Sequence, residues 1–357
     1  MKAWAGVSIV CGVVLMTGAM VMAEVSGTSL WSEIREIAVT EARVEEEVFD
    51  AEGISKITVR TSNDAVKIVG VYLPDENPDA TCDGCGMTLM QVMRVPDVVR
   101  VKYSEPTDGR WGYDVKLENG ELIVERWSED RFFQIFPWFT VGLEPVTIEV
   151  PAKMKADIDV KTGNGSIDIY DVRGDSIAAR TSNGKIKIDE VRGRDMFVRT
   201  SNGGIELRNY HEFDKVDAKT SNGRILLWTG GAEETIAKTS NGRIVFVDLW
   251  AFDLKLTTSN GSVEGSVVGK RGDFGVNLKT SNGSVSTNDV DFVQNETGGY
   301  DLVENKSSYG SHLTEERDGG NIDIKTSNGD VYLIFSGGQH GDWWLQRKPW
   351  WGQQTFK

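Results

Sequence analysis

Three carboxylates recur at matching places in the sequence and have the chemistry that a hydrolytic reaction needs. Asp168, Glu206 and Glu264 each hold the same position after a repeated Asn-Gly pair. Glycosidases use two carboxylates about 5 to 10 Å apart as acid, base or nucleophile. The equivalent positions of the other repeats hold Lys187, Leu226, Val245, Ser286 and Tyr332. We therefore predict no catalytic residues and no enzyme, and keep a polysaccharide lyase or hydrolase as the alternative function.

Cys82 and Cys85 form a Cys-x-x-Cys pair, which can hold a metal ion, exchange disulfides or close a local loop. A structural zinc site needs two further ligands, but the histidines, His211, His312 and His340, are scattered along the chain. Thioredoxin-like chemistry needs a βαβ context that the pattern lacks. We predict a local Cys82–Cys85 disulfide, no metal site and no cofactor, with metal or redox activity as the open alternative.

A third set of chemically active side chains is basic. The residue before each repeated Thr is Lys or Arg in seven repeats, and Thr257 interrupts the series. If equivalent residues stack, the cations form one outward row: Lys161, Arg180, Arg199, Lys219, Lys238, Lys279 and Lys325. Asp159, Asp217 and Asp323 stand two residues earlier and can compensate some of the charge. The row either stays solvated and discourages lateral aggregation, or binds an anionic polymer of the cell envelope.

These side chains are spaced by a repeat. The variant Thr162-Gly163-Asn164-Gly165 comes first, and the full tetrapeptide Thr-Ser-Asn-Gly then begins at Thr181, Thr200, Thr220, Thr239, Thr258, Thr280 and Thr326. The steps are 19, 19, 20, 19, 19 and 22 residues, then one of 46 that we expect to contain an insertion. A degenerate copy, Thr61-Ser62-Asn63-Asp64, lies upstream. A fixed period of this length indicates units that pack on their neighbours.

Each repeat reads as two half-buried strands around a corner. In the repeat at Thr220, Val216 and Ala218 alternate with charged residues before the motif, and Ile225 and Leu227 follow it. We expect Asn-Gly to form the corner because both residues tolerate positive φ. Asn-Gly is also a hairpin signal, so an antiparallel meander competes with a parallel solenoid.

The solenoid is favoured because it closes the apolar faces of each coil on one another, whereas no amphipathic helix is available to cover a meander. The predicted fold is all-β, a parallel β-solenoid with 19 to 20 residues per coil and a loop insertion near its N-terminal end. Equivalent residues then lie about 4.8 Å apart. The structural ladder of stacked asparagines is predicted to be Asn164, Asn183, Asn202, Asn222, Asn241, Asn260, Asn282 and Asn328.

With these motifs the chain resembles the bacterial putative-adhesin family of unknown function, whose members carry Asn-Gly-centred coils after an export signal. The resemblance runs from Ile54 to Phe335 and includes the coil Ile57-Thr58-Val59-Arg60-Thr61-Ser62-Asn63 and the lead-in Val146-Thr147-Ile148-Glu149-Val150-Pro151. It implies a β-solenoid at the envelope or cell surface and supplies no catalytic residues. The loop with Cys82 and Cys85 and the aromatic tail after Ser336 depart from the family pattern.

The N-terminus and the charge bound the location and the partners. Residues 3–23 are almost wholly apolar and end in Val21-Met22-Ala23, which predicts a signal peptide, with an uncleaved anchor as the alternative. Both place the remaining chain outside the cytoplasm: periplasmic, on the cell surface or secreted. The net charge of -15 argues against nucleic acid as a partner.

Two aromatic segments lie outside the repeats. Phe132, Phe133, Phe136, Trp138 and Phe139 crowd one stretch. We expect them to cap the first coil, with an apolar patch for a lipid or protein as the alternative. Trp343, Trp344, Trp350 and Trp351 form a candidate interface tail, which either caps the last coil or contacts a membrane surface or a sugar.

The predicted organisation has five parts: residues 1–23, a signal peptide; 24–53, a lead-in or cap; 54–150, the first coils with the Cys-containing and aromatic insertion; 151–336, the main repeat array; and 337–357, the Trp-rich tail. The predicted function is a non-catalytic, adhesin-like scaffold that binds envelope polymers, the membrane surface or a protein partner.

Overall fold

The structure is a computed structural model that describes residues 42–72, 97–107, 109, 111–128, 144–294, 300–309, 312–315 and 320–336. Within these ranges the regular structure is β-strand, apart from one 3₁₀ turn at Arg271–Asp273. No helix among these residues is long and apolar enough to cross a membrane. The predicted all-β class is confirmed.

The strands are numbered in chain order. The first twelve are β1 (Ala42–Asp50), β2 (Lys56–Arg60), β3 (Val66–Val71), β4 (Val98–Pro106), β5 (Trp111–Glu118), β6 (Glu121–Ser128), β7 (Val146–Pro151), β8 (Asp157–Lys161), β9 (Ile167–Tyr170), β10 (Arg173–Arg180), β11 (Ile186–Asp189) and β12 (Arg192–Arg199). The others are β13 (Ile205–Arg208), β14 (Phe213–Lys219), β15 (Ile225–Lys238), β16 (Ile244–Thr257), β17 (Val263–Val267), β18 (Phe274–Lys279), β19 (Val285–Gln294), β20 (Tyr300–Tyr309), β21 (His312–Glu315), β22 (Gly320–Lys325) and β23 (Val331–Phe335).

Strands that precede a Thr-Ser-Asn-Gly corner stack on one another in parallel, and so do strands that follow it. We call the first stack the front face; its order is β6, β2, β8, β10, β12, β14, β15, β16, β22, β18. The second stack is the back face, and its order is β7, β3, β9, β11, β13, β15, β16, β17, β23, β19. The two long strands β15 and β16 belong to both faces. This is the predicted parallel β-solenoid, and the described residues form ten of its coils.

The core lies between the two faces because alternate side chains point inward. Equivalent apolar residues stack directly: Ala179 pairs with Val160 on one side and with Val198 on the other. All three are fully buried, as are Ile186, Ile205 and Ile225 on the back face. Ten coils at about 4.8 Å per coil form a rod roughly 45 Å long.

The stacking order departs from the chain order at both ends. The coil of β2 and β3 lies between the coil of β6 and β7 and the coil of β8 and β9. At the other end, the coil of β22 and β23 lies between residues 253–267 and residues 274–289. The 46-residue step, predicted to contain an insertion, therefore has a topological origin. The chain first forms the coil at residues 274–289, at the end of the stack, and then returns to form the coil of β22 and β23 one position before it. Part of the loop insertion expected near the N-terminal end forms strands instead, namely β4, β5 and β6.

Antiparallel strands finish both ends of the stack. At the N-terminal end β5 pairs with β6, while β4 pairs with β7 and carries β1 on its other edge. At the C-terminal end β21 pairs with β18, and β20 pairs with β19. The aromatic stretch at Phe132–Phe139 and the tryptophan tail, both predicted as caps, lie outside the described residues.

The explanation of the Asn-Gly corner by positive φ is wrong. No motif residue is among the positive-φ residues of the described chain. The glycine is needed for space: a Cβ on Gly203 would lie 1.7 Å from the carbonyl oxygen of Gly184 in the adjacent coil. Positive φ occurs at the opposite corner, and there without glycine, at Asp171, Glu190, Asn209, Thr229 and Asp248.

Candidate functional site

The buried threonine of each motif ties its corner to the coil before it. Thr200 Oγ1 accepts a hydrogen bond from the Gly203 N–H at 3.1 Å and donates to the Gly184 carbonyl at 3.1 Å. Thr181, Thr220 and Thr239 make the same pair of bonds. The hydroxyl thus satisfies a backbone donor and a backbone acceptor that the tight corner would leave unpaired.

The motif asparagines form a continuous amide ladder along the outside of the corner. Each Nδ2 donates to the Oδ1 of its neighbour, for example Asn202 to Asn183 at 2.6 Å. The order is Asn63, Asn164, Asn183, Asn202, Asn222, Asn241, Asn260, Asn328, Asn282. It contains every predicted member, adds Asn63, and places Asn328 before Asn282. We interpret the ladder as structural because its amide groups hydrogen-bond to one another.

The predicted basic residues are brought into one row on the front face. Strand register pairs Lys161 with Arg180, Arg180 with Arg199, and so on along the axis. The row is Arg60, Lys161, Arg180, Arg199, Lys219, Lys238, Thr257, Lys325, Lys279, and we call it the basic row. Arg60, which precedes the degenerate motif at Thr61, is a member beyond those predicted. Glu125 follows at the N-terminal end, beside Arg60.

Three aspartates compensate part of this charge, as expected from their spacing. Asp159 pairs with Arg60 and with Arg180, the latter at 3.0 Å. Asp217 pairs with Lys219 at 2.6 Å, and Asp323 with Lys325 at 2.8 Å. Among the described residues no ion pair involves the remaining cations of the row, and all four are exposed: Lys161, Arg199, Lys238 and Lys279. These four cations are therefore exposed and have no ion-pair partner within the part of the chain that the structure describes.

The carboxylates considered for hydrolysis lie in a mixed row on the back face. Asp168 is in register between Lys67 and Lys187. Burial raises the pKa of Asp168, although Lys187 and Lys185 oppose the shift. Burial alone would raise the pKa of Glu206, but hydrogen bonds and charge from Lys185 and Arg208 outweigh burial, and the net effect is a lowered pKa.

Glu206 is occupied by two cations, with its oxygens 2.5 Å from Lys185 Nζ and 2.6 Å from an Arg208 nitrogen. Glu264 pairs with Arg243 and lies three coils away from Glu206. Each acid thus has basic neighbours. Asp168 and Glu206 lie two coils apart on this face, with Lys187 in register between them. Within the described chain no group of three His, Cys, Asp or Glu side chains could hold a metal ion.

A cleft at the N-terminal end of the corner stack was not anticipated from the sequence. It has a volume of about 570 Å³ and is lined by Arg60, Asn63, Arg126, Trp127 and Lys161 together with corner residues of the first coils. Arg126 is held by Asp64 at 2.7 Å and lies 4.2 Å from the Trp111 ring. Burial, with the charge of Asp64, raises the pKa of the neighbouring Tyr113. The one sequence signal was Asp64, which replaces the motif glycine.

Other predicted site residues lie outside the described residues. These are Cys82 and Cys85, predicted to form a disulfide, and the tail residues Trp343, Trp344, Trp350 and Trp351. Both remain predictions.

Comparison with known proteins gives two solved structures and one family. The chain is similar to a putative cell adhesion protein from Clostridium sporogenes ATCC 15579, with 14% identity, 83% of this chain and 100% of that chain covered, and a TM-score of 0.20. It is also similar to a putative adhesin from Bacteroides fragilis NCTC 9343, with 10% identity, 82% and 97% covered, and a TM-score of 0.35. At these values neither likeness bears on function.

No curated protein matches the chain. The family model described as Toastrack DUF4097 matches residues 99–334, about two thirds of the chain. That range includes β4 to β7, the repeat array and the returning last coil. The resemblance predicted from the repeat is confirmed, and the chain belongs to the Toastrack DUF4097 family of unknown function.

Proposed function

We propose that this protein is a non-catalytic, exported scaffold of the cell envelope whose front face binds an anionic envelope polymer along the basic row. One observation carries the proposal. Eight of nine consecutive positions in strand register are Lys or Arg, and the row follows the axis of the rod. A linear polyanion lying along that axis meets a cation at nearly every coil.

The charge balance of the molecule supports a specific role for this row. The chain carries a net charge of -15, so a general affinity for anions is not expected. Stacking like charges about 4.8 Å apart is unfavourable unless counter-charges are supplied. Asp159, Asp217 and Asp323 supply only some of them. A bound polyanion would supply the others and would relieve the repulsion among Lys161, Arg199 and Lys238.

Export is the second part of the proposal, and it rests on the sequence. The apolar residues 3–23, followed by an acidic chain, have the composition of a secretory signal. An outside location gives the rod access to anionic polymers.

Binding of residues 24–357 to a set of polymers tests the proposal. The set contains a polymer with carboxylates, polygalacturonate, one with phosphates, poly(glycerol phosphate), and neutral dextran. We expect both polyanions to bind and dextran not to bind, with affinity falling at least about tenfold between roughly 0.02 M and 0.5 M salt, because surface charges are then screened. Equal binding of dextran, or binding that does not respond to salt, would refute the proposal.

A further inference from the structure

The corners of the solenoid share a backbone pattern that uses two donors for one acceptor. Ser201 N and Asn202 N lie 3.0 and 2.9 Å from the carbonyl oxygen of Ser182. Ser221 N and Asn222 N lie 3.1 and 3.0 Å from the carbonyl oxygen of Ser201. Two consecutive N–H groups of each such corner thus converge on a single oxygen of the coil before it.

The corner at Ser62 is the first of this series, and no described residue supplies the corresponding oxygen to it. Its own carbonyl accepts from Gly163 N at 2.8 Å and from Asn164 N at 3.0 Å, so this corner is stacked like the others. On the opposite side, the N–H groups of Ser62 and Asn63 donate to no atom of the described chain. The strands β6 and β7 are next in the stack. The amino-acid sequence between them contains no Thr-Ser-Asn-Gly motif.

The amide ladder ends at the same place. Asn63 Oδ1 accepts from Asn164 Nδ2, and Asn63 Nδ2 has no acceptor among the described residues. Within the described chain, two backbone N–H groups and one amide group thus lie together at the end of the stack without an acceptor. Successive backbone N–H groups with a shared direction are a recurrent way to bind an anionic oxygen.

The surroundings of these donors are positively charged. They lie in the cleft of about 570 Å³ that Arg60, Arg126 and Lys161 line. The Arg126 charge is neutralised by Asp64, and Arg60 shares Asp159 with Arg180. Lys161 is exposed and belongs to the row members without an ion pair in the described chain. The balance favours an anion in the cleft.

The remaining wall is aromatic. Trp127 lines the cleft and is 41% exposed. A half-exposed indole with hydroxyl and amide groups beside it, here from Ser62, Ser182 and Asn164, offers an apolar surface with polar contacts at its edge. A sugar ring has the matching chemistry, with an apolar face and hydroxyl groups around it. The volume lies within the range of small-molecule sites.

We propose that this cleft binds one anionic unit of a saccharide. A carboxylate or phosphate oxygen of that unit takes the position that a carbonyl oxygen occupies at the other corners, hydrogen-bonded by Ser62 N, Asn63 N and Asn63 Nδ2. Lys161 and Arg60 balance its charge, and the sugar ring packs on Trp127. This inference rests on the proposed function for the choice of a saccharide and places a defined site at the N-terminal end of the basic row.

Calorimetric titration of residues 24–357 with short ligands tests the site. The ligands are trigalacturonate, galactose trisaccharide as its uncharged counterpart, and inorganic phosphate. Asn63→Asp keeps the acceptor that Asn164 uses but replaces the free donor by a negative charge, and Ser62→Pro removes one N–H group. Ser281→Asp adds the same charge at the exposed corner on the opposite end and is the matched control.

We expect trigalacturonate to bind the unchanged protein and the Ser281→Asp variant alike, and to bind the Asn63→Asp and Ser62→Pro variants at least tenfold more weakly, with unchanged melting midpoints. A Lys219→Glu, Lys238→Glu variant should keep its affinity for the trimer and lose affinity for the long polymer, which separates this site from the basic row. Equal trimer binding by Asn63→Asp, or no trimer binding at all, would overturn the site. Phosphate binding as tight as trimer binding would overturn its assignment to a saccharide.

Discussion

Arg126 Nη1 lies 2.7 Å from Asp64 Oδ2, and the two side chains are only 5% and 7% exposed. Asp64 stands at the position where the full motifs have glycine. In those motifs a Cβ would meet the carbonyl of the preceding coil, but at Asp64 the preceding residues, 121–151, carry no such motif. The departure from the repeat therefore marks the end of the stack of corners, where a side chain has room and receives a partner.

Asp64→Asn should destabilise the protein by about 3 kcal/mol, because it leaves the buried Arg126 guanidinium without its counter-charge. The urea midpoint of unfolding measures the change. Asp175→Asn breaks the exposed Lys155–Asp175 pair, which also has a 2.7 Å contact, and should lower the urea midpoint much less, because exposed ion pairs contribute little to stability. Replacing both partners, as Asp64→Asn with Arg126→Met, should recover part of the loss in stability. Equal losses of stability in Asp64→Asn and Asp175→Asn would show that the buried ion pair contributes no more to stability than the exposed one.

Gly203→Ala should destabilise the solenoid by about 3 kcal/mol, since the new Cβ would lie 1.7 Å from backbone of the adjacent coil and two coils would have to separate. Gly272→Ala is the matched change, because a Cβ there meets no atom within 4 Å. Thermal unfolding of the two variants should differ clearly. If Gly203→Ala and Gly272→Ala melt at the same temperature, the close approach of neighbouring coils is not the reason for the motif glycine.

Thr200→Val preserves the shape of a buried side chain and removes its hydroxyl. The Gly203 N–H and the Gly184 carbonyl then each lose a hydrogen bond, so we expect a loss of about 2 kcal/mol. Thr200→Ser retains the hydroxyl and should cost less than Thr200→Val. Denaturant unfolding of the pair decides the point, and a valine variant more stable than the serine variant would contradict the role given to the hydroxyl.

The stacking order of the last coil can be tested by cross-linking. Thr257 is in register with Lys325, while Lys279 lies one coil further along, on the other side of Lys325. Neighbouring strands are about 4.8 Å apart, within the range for a disulfide, and two steps exceed it. With the native cysteines replaced by serine, Thr257→Cys with Lys325→Cys should oxidise readily and Thr257→Cys with Lys279→Cys should not, as seen by mass spectrometry without reductant. Oxidation of the Thr257/Lys279 pair instead of the Thr257/Lys325 pair would mean that the coils stack in the order of the sequence, and would contradict the stacking order described above.

Much of the solenoid follows from the sequence because its signals are local. Alternation defines Ile186 and Ile188 as inward, and the fixed step aligns Lys161 with Arg180 and Arg199. The order of the coils does not follow, because identical motifs make any coil an acceptable neighbour for any other. Asn328 fits between Asn260 and Asn282 as well as it would fit after Asn282.

The backbone conformation at the corners was the other feature that the sequence did not predict. Positive φ at Glu190 and Thr229 is imposed by coil closure and has no residue-type signal, whereas the motif glycine, with its strong signal, is explained by a contact between coils. The cleft beside Asn63 required the same knowledge, since Arg126 and Trp127 reach it only because β6 lies beside β2. Both features depend on which segments meet, and local patterns do not encode that.

The affinity of a long polyanion for charge variants of equal net charge tests the central claim most directly. Lys219→Glu with Lys238→Glu reverses two members of the basic row, and Lys155→Glu with Lys270→Glu reverses two exposed cations outside it. Measured with polygalacturonate at low salt, we predict at least a tenfold loss for the first variant and less than about a twofold change for the second, because only the row is aligned with the polymer. Equal losses in both variants would mean that net charge alone governs binding and would contradict the account.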